Sequence, residues 1–353
     1  MHQPHPVCFF VPPYVTAHAT RAAVAAGRVP PEGRSANTRN AAVSDQFRST
    51  RRRTVLPLEQ LAQPRPGKGD RIIFDDKHQW NTDVAPAVRG EGDAPAKDAS
   101  ANRAYDSLGA TKRFYAEILN RDSIDGNGLQ LDGNVNFGVD YDNAFWDGQR
   151  MVFGNGDNQI FKDFTLDLDV AGHELTHGVT QYTAGLQYDG QPGALNEATS
   201  DIMGTSIEQF TQGTDAGTSN WLIGEDVMAD DLAGEAIRSM KAPGTAFDNP
   251  LMGKDPQPAS MAGYYNGPSD NHGVHINSGI INRAFYLMST DLGTLNAARI
   301  WYATLQNLWP TADFAGAASV CASMAGLLAR GGTVPRQAAQ SVRSAFREVG
   351  VIA

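Results

Sequence analysis

The sequence predicts an α+β chain with two lobes, a β-rich N-terminal lobe and an α-helical C-terminal lobe, joined by one helix that carries polar residues. Three observations predict it. Before residue 168, short runs such as Arg71-Ile72-Ile73-Phe74-Asp75 and Asn134-Val135-Asn136-Phe137-Gly138-Val139 are β-like and bounded by Asp, Gly and Asn. Beyond residue 184, apolar residues recur at helical spacing in Ile280 to Met288, Ala297 to Trp309 and Ala338 to Val349. Between these halves lies His173-Glu174-Leu175-Thr176-His177, whose two histidines fall on one face if the stretch is helical. The expected divisions are a separable segment over 1–53, the β-rich lobe over 54–183 and the helical lobe over 184–353.

The first 53 residues stand apart in charge. They hold eight arginines and two acids, a balance of +6, in a chain whose net charge is −10. The rest is therefore −16, and an acidic body argues against a nucleic-acid partner, which needs a basic footprint. The basic segment can dock on the acidic body by charge complementarity, or remain a solvated arm. Cys8-Phe9-Phe10-Val11 is a short apolar cluster stopped by Pro12-Pro13. It lacks a basic leader and is too short and too interrupted for a secretory signal. Val15 to Ala26 reads as one alanine-rich helix ended by Gly27 and Pro30-Pro31, and Gly33 to Gln46 as a linker. Arg48 and Arg51-Arg52-Arg53 form a basic run that reads as exposed.

In the body, Ala101 to Leu119 has helical apolar spacing through Tyr105, Leu108, Phe114 and Leu119. Asn143-Ala144-Phe145-Trp146 before Asp147-Gly148 reads as an edge strand and turn, with Phe145 and Trp146 as core aromatics. No run of 18 or more apolar residues indicates a membrane span. The two cysteines, Cys8 and Cys321, do not make a disulfide framework. With no readable export signal, the expected location is the cytoplasm, or the outside by a non-classical route.

The chemistry concentrates at two segments. His173 and His177 can share one zinc ion, which accepts neutral imidazole nitrogen and, when catalytic, keeps one open position. Glu174 lies beside them, placed to handle a proton from water. Twenty residues after His177, Asn196-Glu197-Ala198-Thr199-Ser200-Asp201 offers Glu197 as a third ligand. Asp201 sits on the same helical face, able to accept the other ring N–H of a zinc histidine.

With those residues on the page, the chain resembles the thermolysin-like neutral metalloproteases. The resemblance runs from about Arg103 to the C-terminus. It passes through Asn143-Ala144-Phe145-Trp146, Met151-Val152-Phe153-Gly154, both zinc segments, Gly224-Glu225-Asp226, Ile237-Arg238-Ser239-Met240, and Asp270 to Asn282. Pro12-Pro13-Tyr14 resembles the short-propeptide, protealysin-like branch. The resemblance implies the two-lobed fold with a cleft between the lobes. It implies a zinc endopeptidase cutting on the N-terminal side of hydrophobic residues, with peptides or proteins as substrates. It also implies a proenzyme whose partner is its own propeptide, cut near residues 45–54. Zinc is to be held by His173, His177 and Glu197.

Catalysis is assigned to Glu174 as general base, with His275, its partner Asp270, and Tyr188 at the developing oxyanion. Asn143 and Ala144 are substrate contacts by the same resemblance, and Arg238 binds the substrate carbonyl beside a pocket lined by Phe161, Phe164, Val170, Ile223 and Ile237. His272 stands where a small residue is usual and reads as a loop histidine at the cleft rim. For calcium, Asp169, Glu208 and Glu225 match family ligands. Asn220 and Leu222 replace two others, so one ion at most is expected. Cys8 is placed as a small buried thiol, the commoner use of an isolated cysteine, with zinc ligation in the precursor as the second possibility.

Other readings fit less well. An aminopeptidase needs an amine-binding acidic motif that the chain does not display. A catalytically dead or latent peptide-binding groove does not need Glu174, His275 and Asp270 together. A structural zinc domain would close its metal with four Cys or His ligands.

Overall fold

The computed structural model describes residues 8–25 and 70–353. The expected cleavage region at 45–54, the linker and the arginine run lie outside the described residues. Strand β1 is Cys8–Phe9 and helix α1 is Pro13–Ala25, beginning two residues before the expected Val15. The first lobe then brings β2 (Arg71–Asp75), β3 (Ala87–Gly90), α2 (Ala99–Leu119), β4 (Leu131–Val135), β5 (Ala144–Trp146) and β6 (Arg150–Phe153). Its mixed sheet has the order β1-β5-β6-β4-β2-β3. β2, β4 and β6 run parallel in sequence across the sheet, and β1 and β5 run antiparallel at its end.

Two sequence expectations need correction here. The second strand was expected over 134–139 but lies over Leu131–Val135. Asn136 takes a φ of 55°, in the left-handed region, which turns the chain out of the ladder. The expected edge strand at 143–146 is not an edge, because Cys8–Phe9 pairs along its outer side.

Helix α2 covers one face of the sheet. Asp98 caps it by accepting from the Ser100 amide, and it stops where Asn120 turns left-handed. The next two helices decide the architecture. Helix α3 (Leu168–Gln181) is buried on every side from Asp169 to Thr180, and α4 (Gly190–Gln212) crosses it. At the crossing a Cβ on Gly172 would stand 3.0 Å from the Gly204 Cα, and one on Gly204 only 2.9 Å from the Asp169 carbonyl oxygen. Two glycines thus let the backbones approach closely enough for side chains one turn away to meet.

Helix α5 (Ser269–Leu292) begins with a kink, and α6 (Thr294–Leu305), α7 (Phe314–Arg330) and α8 (Ala338–Glu348) complete the helical lobe. The expected helix to Trp309 ends at Leu305, and Leu308 and Trp309 continue as turn and loop before Pro310. One apolar cluster runs through both lobes, from Ile73 and Phe114 to Trp301 and Phe346, and it takes in Phe10, Val11 and Val15 of the N-terminal segment. A smaller cluster joins Phe9 to Phe137, Tyr141, Phe145 and Val152.

Asp76 gives a prediction away from the cleft. It is 3% exposed, its Oδ1 accepts from the Asn134 amide, and its Oδ2 has no hydrogen-bond partner. Burial raises its pKa to about 7, against the lowering effects of Asn134 and Arg150. The native state therefore keeps a proton that the unfolded chain releases near pH 4, so stability falls as pH rises from about 4 to about 7. Asp76→Asn is expected to remove that slope. Its Tm should match the wild type at pH 4.5 and exceed it by on the order of 5 °C at pH 8. Parallel Tm curves for the two proteins would refute it.

Candidate metal centre and cleft

The α3–α4 crossing places His173 and His177 opposite Glu197. Asp201 Oδ1 lies 2.8 Å from His173 Nδ1, and Asn196 Oδ1 lies 2.8 Å from His177 Nδ1. Both partners are acceptors, the Asn196 amide being oriented by its Nδ2 donating to the Leu186 carbonyl at 3.4 Å. With Nδ1 donating to these acceptors, each ring in its neutral form keeps its lone pair on Nε2. Those two Nε2 atoms are 3.1 Å apart, and the Glu197 carboxylate oxygens stand 3.5 Å from each. Two lone pairs cannot hydrogen-bond to one another. Three buried electron-pair donors converging on one point are the donor set of a cation, and two imidazoles with one carboxylate suit zinc.

The groups around the donors are fixed. Asp201 also receives Arg238 through Nε at 2.9 Å and Nη2 at 2.9 Å, and Asn282 Nδ2 at 2.8 Å. Burial works against its charge, but Arg238 and His173 outweigh that and hold its pKa down. Glu174 Oε2 accepts from the Trp146 amide at 2.9 Å, while Oε1 is buried without a hydrogen-bond partner. Burial pushes the Glu174 pKa up to about 8, with His173 and the Trp146 amide opposing. That is the range a proton-shuttling carboxylate needs at neutral pH.

On the far wall, Asp270, Asn271, His272 and Gly273 all have positive φ, between 48° and 82°. Three of them are not glycine, and such conformations are costly for residues with a Cβ. The turn brings the Asp270 carboxylate back onto His275, accepting from its backbone amide at 2.8 Å and its Nδ1 at 2.6 Å. Burial would lower the His275 pKa, but Asp270 and Glu197 raise it, favouring an imidazolium with Nε2 as donor. That Nε2 lies 3.2 Å from the Tyr188 hydroxyl, which also hydrogen-bonds Glu197. His272 Nδ1 pairs with Asp189 at 2.8 Å, and both side chains are more than half exposed.

The N-terminal segment lies in this cleft. The Phe10 amide donates to the Ala144 carbonyl at 3.1 Å, and the Phe10 carbonyl accepts from Arg238 Nη1 at 3.0 Å. The Val11 amide donates to Asn143 Oδ1 at 2.9 Å, and the Val11 carbonyl accepts from Asn143 Nδ2 at 3.3 Å. The Phe10 ring is wholly buried, 5.3 Å from the His173 ring and 6.5 Å from Phe164, with the Arg238 guanidinium 4.9 Å from its centroid. Phe161, Phe164, Val170, Ile223 and Ile237 are all buried in the same core cluster as Phe10. Cys8 is buried as well, with its sulfur, a His177 nitrogen and a Glu197 oxygen all within 4.8 Å of one another.

Gly224 was part of a recognised segment, but its role at the pocket was not anticipated. With φ at +72°, a Cβ there would meet Phe10 Cε1 and Ile237 Cδ1 at 3.0 Å, so the pocket's depth depends on glycine. Asn196 has no role in the sequence reading; on α4 it stands beside Glu197, and its Oδ1 meets His177 Nδ1.

The acidic trio is less convergent. Asp169 Oδ2 accepts from the Gly224 amide at 2.9 Å, and Oδ1 is buried without a hydrogen-bond partner. Glu225 is engaged by Asn220, and Glu208 accepts from Gln212 at 2.9 Å. Among the described residues, the groups of three or more whose ligand atoms all lie within 4.8 Å of one another are Cys8, His177 and Glu197, and His173, Glu174 and His177. Asp167, missed from sequence, stands beside Asp169 at the N-cap of α3 and accepts its amide at 3.2 Å. Burial raises the pKa of Asp167, Asp169 and Glu208; repulsion from Asp167 adds to it at Asp169 and Glu208, whereas at Asp167 the hydrogen bond with Asp169 opposes it.

Comparison with known proteins gives the family. Residues 38–181 match the thermolysin metallopeptidase catalytic domain, and residues 184–351 match the thermolysin metallopeptidase alpha-helical domain. The "Extracellular metalloprotease" of Pectobacterium carotovorum subsp. carotovorum is 42% identical over 88% of this chain and 88% of its own. A "Thermolysin" of Alicyclobacillus acidocaldarius subsp. acidocaldarius is 40% identical over 72% of this chain and 46% of its own. The solved "Precursor of Protealysin, Metalloproteinase from Serratia proteamaculans" superposes with a TM-score of 0.82 at 40% identity, covering 98% of this chain and 100% of that one. The expectation of a cytoplasmic or non-classically exported protein is corrected by these relatives, since the first of them is named as extracellular. No helix among the described residues is long and apolar enough to cross a membrane.

Proposed function

The chain belongs to the thermolysin metallopeptidase family and is a metalloprotease of protealysin-like type; from that premise we propose that it is a zinc endopeptidase, kept latent by its N-terminal segment, that cuts before hydrophobic residues. The observation that carries the reading is the meeting of the His173 and His177 lone pairs with Glu197, beside the unpartnered Glu174 Oε1. His173, His177 and Glu197 would hold the zinc, which when bound polarises a carbonyl and makes water a nucleophile near neutral pH.

The protein's own groups supply the rest. Glu174 takes the proton of the attacking water at Oε1 and returns it to the leaving amine. His275 Nε2 and the Tyr188 hydroxyl stand side by side to donate to the oxyanion as it forms, and Asp270 keeps His275 charged and oriented. Arg238, locked by Asp201, receives the carbonyl of the residue after the scissile bond. Asn143 and the Ala144 carbonyl fix the backbone on either side of it. The apolar pocket takes that residue's side chain, which is where Phe10 sits.

Latency follows from occupancy. Cys8 and Phe10 point to the same face of an extended segment, one toward His177 and Glu197, the other into the pocket. A thiolate at that place competes with water for the metal. Removal of the segment, by cleavage in the 45–54 region, would open the cleft. A protein acting outside the cell would be trimmed there or during export.

The test is hydrolysis of an internally quenched peptide with Phe or Leu after the scissile bond, using chain trimmed of its N-terminus. Hydrolysis that is lost on chelation and restored by zinc is expected. Trimmed, zinc-loaded protein that cleaves nothing would overturn the endopeptidase reading. For latency, cobalt-loaded full-length chain is expected to show a thiolate charge-transfer band that Cys8→Ser abolishes. An identical spectrum in both would remove Cys8 from the metal.

For calcium, the proposal is one ion at most, at Asp169, Glu208 and Glu225. The raised pKa values of Asp169 and Glu208 mean that the cluster loses stability as pH rises through the neutral range, and that a cation binds better as these two ionise. Calcium is therefore expected to raise Tm at pH 8 and leave it unchanged at pH 5. Metal analysis of dialysed protein showing two retained calcium ions at this cluster would contradict the single-site proposal.

A further inference from the structure

The N-terminal segment occupies the cleft with the polarity of a substrate. Strand β1 runs antiparallel to β5, pairing Cys8 with Trp146 and Phe9 with Phe145. Phe10 donates to Ala144 and accepts from Arg238, and its ring fills the apolar pocket. On the endopeptidase reading, on which this rests, those three contacts define the residue that follows a scissile bond. The residue before it is Phe9, whose ring turns to the opposite face and packs 5.3 Å from Phe145. The bond presented to the catalytic groups is thus Phe9–Phe10.

Two features keep that bond intact while the segment is part of the chain. The Cys8 sulfur lies against His177 and Glu197, where water is needed. Helix α1 then anchors the register, with Val15 wholly buried, Ala19 5% exposed and His18 Nε2 3.3 Å from the Pro250 carbonyl. Thiol, pocket residue and helix are three weak holds made strong by linkage in one chain. A released segment loses the effective concentration that linkage gave, and its Cys8 exchanges off.

We propose that the released N-terminal segment is itself a substrate of the enzyme, hydrolysed between Phe9 and Phe10. Water adds across the peptide bond. Its oxygen joins the Phe9 carbonyl carbon to give a carboxylate, the bond to the Phe10 nitrogen breaks, and both water protons pass by way of Glu174 to that nitrogen, which leaves as an ammonium. The cut separates the thiol from the pocket residue and the helix, so neither product keeps more than part of the inhibitor. Activation is then one-way.

The experiment uses a synthetic peptide of residues 1–25 and a preparation of the protein that hydrolyses the quenched peptide. Mass spectrometry follows the synthetic peptide while inhibition of the quenched reaction is recorded. Expected are fragments 1–9 and 10–25, inhibition that fades as they appear, and cutting at least ~10-fold faster in the Cys8→Ser peptide, which lacks the competing thiol. A Phe10→Asp peptide should neither inhibit nor be cut at that bond. An intact peptide with lasting inhibition, or cutting only elsewhere, overturns the proposal and leaves the endopeptidase reading standing. A preparation that hydrolyses neither peptide overturns both.

Discussion

Glu174→Gln is expected to lower kcat by about 10²- to 10⁴-fold, the usual worth of a positioned proton-transfer group, with KM little changed and zinc still bound. The geometry makes this a clean substitution. Glu174 Oε2 is held by the Trp146 amide, and a glutamine oxygen can accept the same bond. What the amide cannot do is take a proton at the position of Oε1, which is buried and has no other partner. None of the assigned zinc ligands is altered, so metal content measured on the same sample separates a chemical loss from a lost ion. Burial and the neighbouring charges pull the Glu174 pKa in opposite directions, and removing the N-terminal segment changes both. The pH profile of the wild type should show an acidic limb that the variant lacks. A Glu174→Gln protein keeping more than a tenth of wild-type kcat would move the base elsewhere, with His275 the nearest titratable group on the opposite wall.

The convergence of the proposed metal donors was legible because their signal is local. Two histidines four apart on a helix share a face whatever surrounds them, and Glu197 and Asp201 repeat that spacing on the next helix. What brings the two helices together is not local. It depends on Gly172 meeting Gly204, and nothing in either helix alone marks those glycines as a crossing point. The strand at residue 131 was misplaced for a similar reason. Phe137 and Val139 are good strand formers, but Asn136 turns left-handed and sends Phe137 into a separate aromatic cluster with Phe9 and Phe145. The calcium trio was read from matching positions, and positions do not report whether side chains converge or find other partners, as Glu225 finds Asn220.

Cys8 shows the limit most clearly. An isolated cysteine is most often a small buried hydrophobe, and Cys8 is buried. Its surroundings are set by the pairing of β1 with β5, two strands far apart in sequence, and that pairing puts the sulfur against His177 and Glu197. The same pairing explains why a strand that read as an edge is covered. On the proposed endopeptidase reading that edge is the substrate track, and the chain itself supplies an occupant for it.

From that occupancy follows the second large effect. Phe10→Ala in the full-length chain is expected to raise hydrolysis of the quenched peptide by roughly 10²- to 10³-fold over wild type before any trimming occurs. Phe10 is wholly buried, and Phe→Ala at such sites costs about 3–5 kcal/mol. The cost falls on the docked state alone, because the released segment is solvated in either protein. Each 1.4 kcal/mol is tenfold in the docking equilibrium, so the lower half of that range already raises the open fraction by about two to three decades. Phe10→Leu, which still fills an apolar pocket, should stay close to the wild-type latency. The measurement is the initial rate, taken while mass spectrometry shows the chain intact from Met1. If Phe10→Ala were as silent as wild type at that stage, the segment would be held through Cys8 and helix α1 without help from the pocket. A Cys8→Ser variant that gained the missing activity would then place the lock at the metal. The aromatic ring and the thiol thus make separable predictions, although they sit two residues apart on one face of one short extended segment.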